Sequence, residues 1–493
     1  MKKILFLLAL TVASVSTSFA QMFTLQLGCE SKHTDEEMIL NGHYIGQHNG
    51  LDCWITQTEN GSNIFVRNRD WQVVHLDSNL VPVGRLELPK TSKCRHVASV
   101  MKESMASALL VDSSDDEQTL ILRARVDMDS MTLVGGWIDT LHAFPLASKD
   151  LCKVWGAASA NGEYVGLISV VEYTQTKQYT ATTTLFDATM TPLWTRQYAL
   201  GSTDMIHVSN QGEIITLAVE DDGEKQHFIF NVMDEQESAT YDISINCDRI
   251  QNMRIINTVG RHVVCAGTWS PLNSDPEDRI TGGVVGMSFN LDSTNITGFT
   301  LRPFQNEDMN ILMNKKTKKV QREQTLSFIS PTACVATPYG GVISVGRNYA
   351  ENRINNNGTV STEHHAVGLH VAAIDTTGDI RWVRNFRRND ISEDGLARLY
   401  TALVSDDDNV YLLKTECRKY PNIYEISKEA KEFELGGKGN TVLYSISPEG
   451  DVSKTIVEQK YKGVLIGVDQ RRDGTMLLLS LRGSKTRLAK LKH

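Results

Sequence analysis

Ala373–Phe386, AIDTTGDIRWVRNF, is the stretch whose reading decides the fold. An apolar pair, Ala373 and Ile374, runs into Asp375 and a Thr-Thr-Gly turn. Ile380, Trp382 and Phe386 then recur at even spacing. Asp suits a tight turn because its carboxylate can bond its own backbone, and Gly accepts positive φ. The even spacing after the turn is that of a half-buried strand. The segment therefore reads as two strands joined by a polar turn.

Leu185–Tyr198 (LFDATMTPLWTRQY) repeats these offsets, with Asp187 to Trp194 matching Asp375 to Trp382. Looser copies turn at Asp77, Asp129, Asp234, Asp292 and Pro448–Gly450. A second set of Gly, Asn or Asp turns stands at Asn60-Gly61, Asp115-Asp116, Asn161-Gly162, Gln211-Gly212, Val259-Gly260, Gly340-Gly341, Asp407-Asp408 and Asp473-Gly474. These lie about 47 to 80 residues apart, the period of four-stranded propeller blades with loop insertions. The expected architecture is all-β: one propeller of eight four-stranded blades, with seven as the alternative. After Gly474 the chain has room for two more strands but not a third. Met22–Gly28 is expected to supply the missing outer strand and so close the ring without an open edge.

The apolar-Asp-x-x-Gly-x-x-x-Trp pattern of Ile374–Trp382 resembles the repeat of the PQQ-like β-propellers. That group includes quinoprotein dehydrogenases and an outer-membrane assembly scaffold, and commonly has eight blades. The resemblance implies fold only. The dehydrogenases carry a vicinal disulfide against their cofactor, and none of the eight cysteines here adjoins another, so no cofactor is expected.

Met1–Ala20 reads as a secretory signal peptide: Lys2 and Lys3, an apolar run from Ile4 to about Val15, then Ser18-Phe19-Ala20. Residues 21–493 would then be the propeller, bacterial and exported to the periplasm, outer membrane or exterior. A lipoprotein signal ending at Cys29 fits less well, because Gln26-Leu27-Gly28 precedes it. Losing two lysines from 50 basic residues leaves 48 against 59 acidic ones, a net charge near −11. That balance argues against nucleic acid as a partner. The cysteines are widely spread without a C-x-x-C, which disfavours zinc ribbons and thioredoxin-like sites and leaves disulfides open.

Polar insertions are read at Glu172–Tyr179, Thr268–Gly283, Asn348–Ala366 and Thr415–Asn440. A connector, Gln305–Leu326, carries the basic run Lys315–Arg322 with room for one short helix. In an up-and-down blade, loops between second and third strands share one mouth of the ring with the blade-to-blade connectors. Elaborated loops on a rigid scaffold are where binding resides. The candidate binding residues are Trp269, Tyr349, Arg353, His364, Arg418, Tyr420 and Tyr424, with Tyr173, Tyr179 and His365 in the same set. No metal site is expected: His364 and His365 point to opposite faces of an extended chain. The acidic turns Asp112–Glu117 and Asp406–Asp408 lack the calcium-loop pattern and are expected at the tight-turn mouth. No G-x-S-x-G, H-E-x-x-H or phosphate-binding Gly loop is present. The expected function is a monomeric exported scaffold that binds a protein partner. The alternatives are glycan or peptide binding, and a hydrolase or lyase working at the central channel.

Overall fold

The computed structural model describes residues 24–27, 31–32, 43–57, 70–147, 150–198, 206–272, 280–314, 326–354, 360–392, 401–405, 409–417, 433–434, 439–461, 464–470, 475–482 and 485–492. Within them, eight sheets of four or more strands succeed one another along the chain, antiparallel except where Phe433–Glu434 adds in parallel to Ile380–Ser392, and a two-stranded ladder joins Ile280–Thr281 to Leu326–Ser327. Blade one is His43–His48, Leu51–Gln57, Trp71–Leu76 and Pro82–Leu88. The inner strands of the following blades are Cys94–Lys102, Leu151–Ala158, Ile206–Val208, Arg249–Val259, Ile329–Thr337, Thr401–Ser405 and Val464–Gln470. Each packs against the next, and Val464–Gln470 packs against His43–His48, so the strands form a closed ring. The chain is a single all-β propeller.

Closure follows the expected route. Thr24–Leu27 pairs antiparallel with Lys485–Lys492, completing the last sheet as its outer strand. Asp52 of blade one and Lys490 of the last blade form a buried ion pair of 2.7 Å across the seam.

The Asp turns form as their chemistry dictates. One oxygen of Asp375 accepts the Thr377 and Asp379 amides at 2.9 and 3.1 Å, and Asp187 does the same for Thr189 and Thr191 at 2.8 and 2.9 Å. Gly378 takes the left-handed φ, +82°, that the turn requires. Three of the looser copies use a different anchor. The turn at Asp129 is held by Asp127, that at Asp292 by Asn290, and that at Pro448–Gly450 by the hydroxyl of Ser447.

Other expectations are corrected. Asn161-Gly162, Gln211-Gly212 and Val259-Gly260 do join first to second strands, Gly340-Gly341 opens the second strand of blade six just past the turn at Pro338-Tyr339, and Asp115-Asp116 joins second to third. The first-to-second turns of blades one and two are Asn49-Gly50 and Glu103-Ser104. Asn60-Gly61 also falls between second and third strands and, with Asp407-Asp408 and Asp473-Gly474, lies outside the described residues. The acidic stretch Asp112–Glu117 consequently sits on the loop-bearing mouth, not on the tight-turn mouth. Glu172–Tyr179 is no insertion but a tight hairpin, with Tyr173 opposite Gln178. Asn348–Ala366 is not a loop: Gly340–Ile354 and Val360–Asp375 run as paired strands to Ile354 opposite Val360.

The connector after blade five holds one short helix, α1 (Asn306–Leu312), closed by a capping box between Gln305 and Asp308. The leader Met1–Ala20, the basic run Lys315–Arg322 and Asp406–Asp408 lie outside the described residues. Six cysteines, Cys53, Cys94, Cys152, Cys247, Cys265 and Cys334, are free thiols, and burial pushes Cys53 and Cys94 up to about 12. They pack as small apolar side chains. Among the described residues no helix is long and apolar enough to cross a membrane.

Candidate functional site

Two cavities open on the mouth shared by the second-to-third loops and the blade connectors. The larger, about 1140 Å³, lies between blades five and six. Its walls are the start of each inner strand (Gln251 and Asn252; Phe328 to Ser330) and residues 347–351 of the elongated second strand of blade six.

The sequence explains the shape. The first two strands of blade six pair only as far as Ile329 opposite Arg347, while the second and third continue to Ile354 opposite Val360. The hairpin thus overhangs the ring. At Phe328 the chain turns off the sheet, with φ +64°, a left-handed conformation that costs an aromatic residue roughly 1–2 kcal/mol. Leu326–Ser327 pairs instead with Ile280–Thr281. Phe328 still receives the Asn348 amide on its carbonyl at 3.0 Å, and its side chain stays 49% exposed at the cavity rim. Asn252 on the facing wall is left-handed too, at φ +51°, where the inner strand of blade five bulges.

Along the overhang, Tyr349 stacks parallel on His365 with ring centres 4.7 Å apart, and the Arg347 guanidinium lies over the same ring at 5.0 Å. His365 Nε2 is 3.1 Å from Glu363 and 3.9 Å from Glu351. The alternating order Arg347, Tyr349, Glu351 with His365 and Glu363 opposite is the period-two face of a two-stranded ribbon.

The second cavity, about 910 Å³, lies between blades two and three and is lined by Asp115, Asp116, Glu117, Asp150 and Leu151 among others. Leu151, Tyr173 and Tyr179 are exposed beside it. Asp150 is spent on structure, accepting the Thr174 and Ala147 amides.

Of the sequence candidates, Tyr349 lies in the larger site. Arg353 is placed on the overhanging hairpin by its pairing with Ser361, but its side chain lies outside the described residues. His364 is half-buried on the opposite face from His365, with Nδ1 making no hydrogen bond. Trp269 is a correction: it is buried at 8% exposure in the core of blade five, close against Gly282 and Gly283. Those two glycines open space for its ring, so the aromatic insertion residue is a packing residue. Arg418, Tyr420 and Tyr424 lie outside the described residues. Phe328, Gln251 and Asn252 were missed. Phe328 belongs to an apolar pair, Phe328-Ile329, that reads as strand, and only the structure shows it turned out. No group of three His, Cys, Asp or Glu side chains suited to a metal occurs among the described residues.

The chain matches no protein-family profile and no curated protein sequence. Solved structures resemble it at the level of fold. The WD40 domain of SCAP from fission yeast aligns at 9% identity over 94% of this chain and 97% of that one, with a TM-score of 0.38. The polysaccharide lyase Uly1 aligns at 10% identity over 94% and 99%, also at 0.38. An acylaminoacyl peptidase of Pyrococcus horikoshii aligns at 8% identity over 90% of this chain and 59% of its own, at 0.36. Similarity this remote says nothing of activity.

Proposed function

We propose that this propeller is a protein-binding scaffold, exported by its leader to the cell envelope, whose loop-bearing mouth docks a partner protein. The ring is read as eight-bladed, and the Asp-x-x-Gly-x-x-x-Trp pattern of Asp375–Trp382 supports a fold-level likeness to the PQQ-like propellers. The observation that carries the binding role is the larger cavity: a strained, half-exposed Phe328 at its rim and a hairpin built past the end of its own sheet. Strain held in an exposed aromatic is a feature that packing alone does not select. A glycan fits less well, because sugars stack on open aromatic faces and the Tyr349 ring is already engaged by His365 and Arg347. Export is supported by the leader's charged start, apolar run and small residues before Gln21.

The test is crosslinking capture from native envelope with the intact protein and with a variant whose hairpin is shortened between Glu351 and Glu363. A partner held only by the intact protein is the expected result. Equal capture by both overturns the assignment of this mouth.

A further inference from the structure

We infer that the larger cavity is an unfilled strand position, and that it takes an extended peptide of the partner by β-strand addition to the free edge at Ala350–Ile354. The inference rests on the scaffold reading above and names what docks.

The argument begins with where the backbone groups go. The amide of Asn348 points toward the inner strand, donating to Phe328 at 3.0 Å. Direction alternates along a strand, so Ala350, Asn352 and Ile354 present their N–H and C=O groups to the same side. On that side the inner strand has ended. Ile329 is its last residue in register, and Phe328 diverts the chain to Ile280–Thr281. Among the described residues no strand pairs with that edge of Ala350–Ile354, and Ala350, Glu351 and Asn352 are exposed. The other edge of the hairpin is covered only as far as His364, which pairs with Ser392 as His365 does with Ile391, and the cavity lies on the Ala350 side alone. An exposed edge of this kind is a template for another strand, and natural sheets cover or blunt it unless it has a use. Here the start of that edge, as far as Glu351, borders a cavity of about 1140 Å³.

The walls select the occupant. Gln251 and Asn252 of blade five close the far side of the cavity. A wall on that side favours a single inserted strand over the hairpin of a second copy, which would bring its own sheet. An inserted peptide would run antiparallel to Ala350–Ile354, in line with Ile329–Thr337. Phe328 stands at its end to meet an apolar side chain, while the amides of Gln251, Asn252 and Asn348 are held by Ser270, Thr268 and Ser330, which leaves the pairing to the main chain. Main-chain pairing supplies affinity and alternate side chains supply selectivity, as in other strand-addition sites.

The test uses proline. Ala350→Pro removes an edge donor but leaves the pairing with Val360–Asp375 intact, because the deleted N–H faces the cavity. Asn352→Pro removes the next donor along the same edge and serves if the first variant fails to fold. The wild-type propeller is panned against displayed random linear peptides. Enriched peptides are then measured on both variants, with the thermal midpoint as folding control. The expected result is binding about tenfold weaker on folded proline variants, with the Ala350 and Asn352 amides protected from hydrogen exchange in the wild-type complex. Peptides that bind the variants as tightly, or that protect other amides, overturn the inference, and so does a failure to enrich any peptide. A wild-type dimer that Ala350→Pro makes monomeric overturns it in favour of self-pairing. Envelope capture that survives Ala350→Pro but not hairpin shortening leaves the scaffold reading standing without strand addition. Capture that survives both overturns both.

Discussion

Trp382 and Arg384 show what a repeat residue does. The Trp382 indole donates to the Pro448 carbonyl of the next blade at 3.0 Å, and Arg384 donates through Nε to the carbonyl of Gly450 in the same turn. Arg196, two residues after Trp194, reaches the Asp234 carbonyl of its neighbouring blade at 2.9 Å in the same way. Trp-x-Arg is thus a clasp from the outer strand of one blade to the last turn of the next. Replacing Arg384 by Met should lower stability by about 2 kcal/mol, since a charged donor to a partly buried carbonyl is lost. Denaturant unfolding checks this, and an unchanged midpoint would assign the clasp no energetic role. The turns were legible in the sequence because Asp375 and Asp187 serve their own backbones. The Arg was not, because its partner is a carbonyl some 66 residues away in sequence, supplied by tertiary structure.

At the scale of elements, α1 shows how a connector is locked to a sheet. Asp308 caps the Gln305 amide at 2.8 Å and also receives Asn385 at 2.7 Å and Arg302 at 3.1 Å. His370, fully buried, lies 3.4 Å from Oδ1, the oxygen that Asn385 also reaches. Burial alone would raise the Asp308 carboxyl, but His370, Asn385 and the Gln305 amide together hold it below the ordinary carboxylate range. A depressed folded value means that the carboxylate stabilises the fold above the unfolded value near 3.9, and that this stability drains away as pH falls below it. Asp308→Asn should therefore cost about 3 kcal/mol at neutral pH, and the gap to wild type should narrow at pH 3.5. Urea unfolding at the two pH values decides; an equal gap at both would remove the charge from the explanation. Sequence reading allowed one short helix here, yet half of what anchors Asp308 is not local, because His370 and Asn385 come from strands far along the chain. The overhanging hairpin was misread for a related reason. Asn348–Ala366 is polar and Asn-rich at its tip, like a loop, while its pairing depends on the register of the strands beneath it.

The ring as a whole is held shut by strands from opposite ends of the chain. Met22–Gly28 was readable as the closing strand because it alternates and has no hairpin partner of its own, and Thr24–Leu27 does pair with Lys485–Lys492. What the sequence concealed is the ion pair Asp52–Lys490, buried on both sides at 2.7 Å where first and last blades meet. A lysine in the LAKLKH terminus looks like a solvated residue until the seam closes over it. Breaking such a pair leaves one charge buried alone, which costs more than the pair contributes. Asp52→Asn should thus lower stability by about 3 kcal/mol, while Asp52→Leu with Lys490→Met should recover most of the loss, as hydrophobic replacements of buried pairs often do. The seam location makes a sharper claim. In Asp52→Asn, hydrogen exchange should speed at Thr24–Leu27 and Lys485–Lys492 before it does in Ile380–Ser392, because opening starts where the ring was joined. Uniform acceleration around all blades would mean that the pair supports global packing and that closure resides in the strand ladder alone.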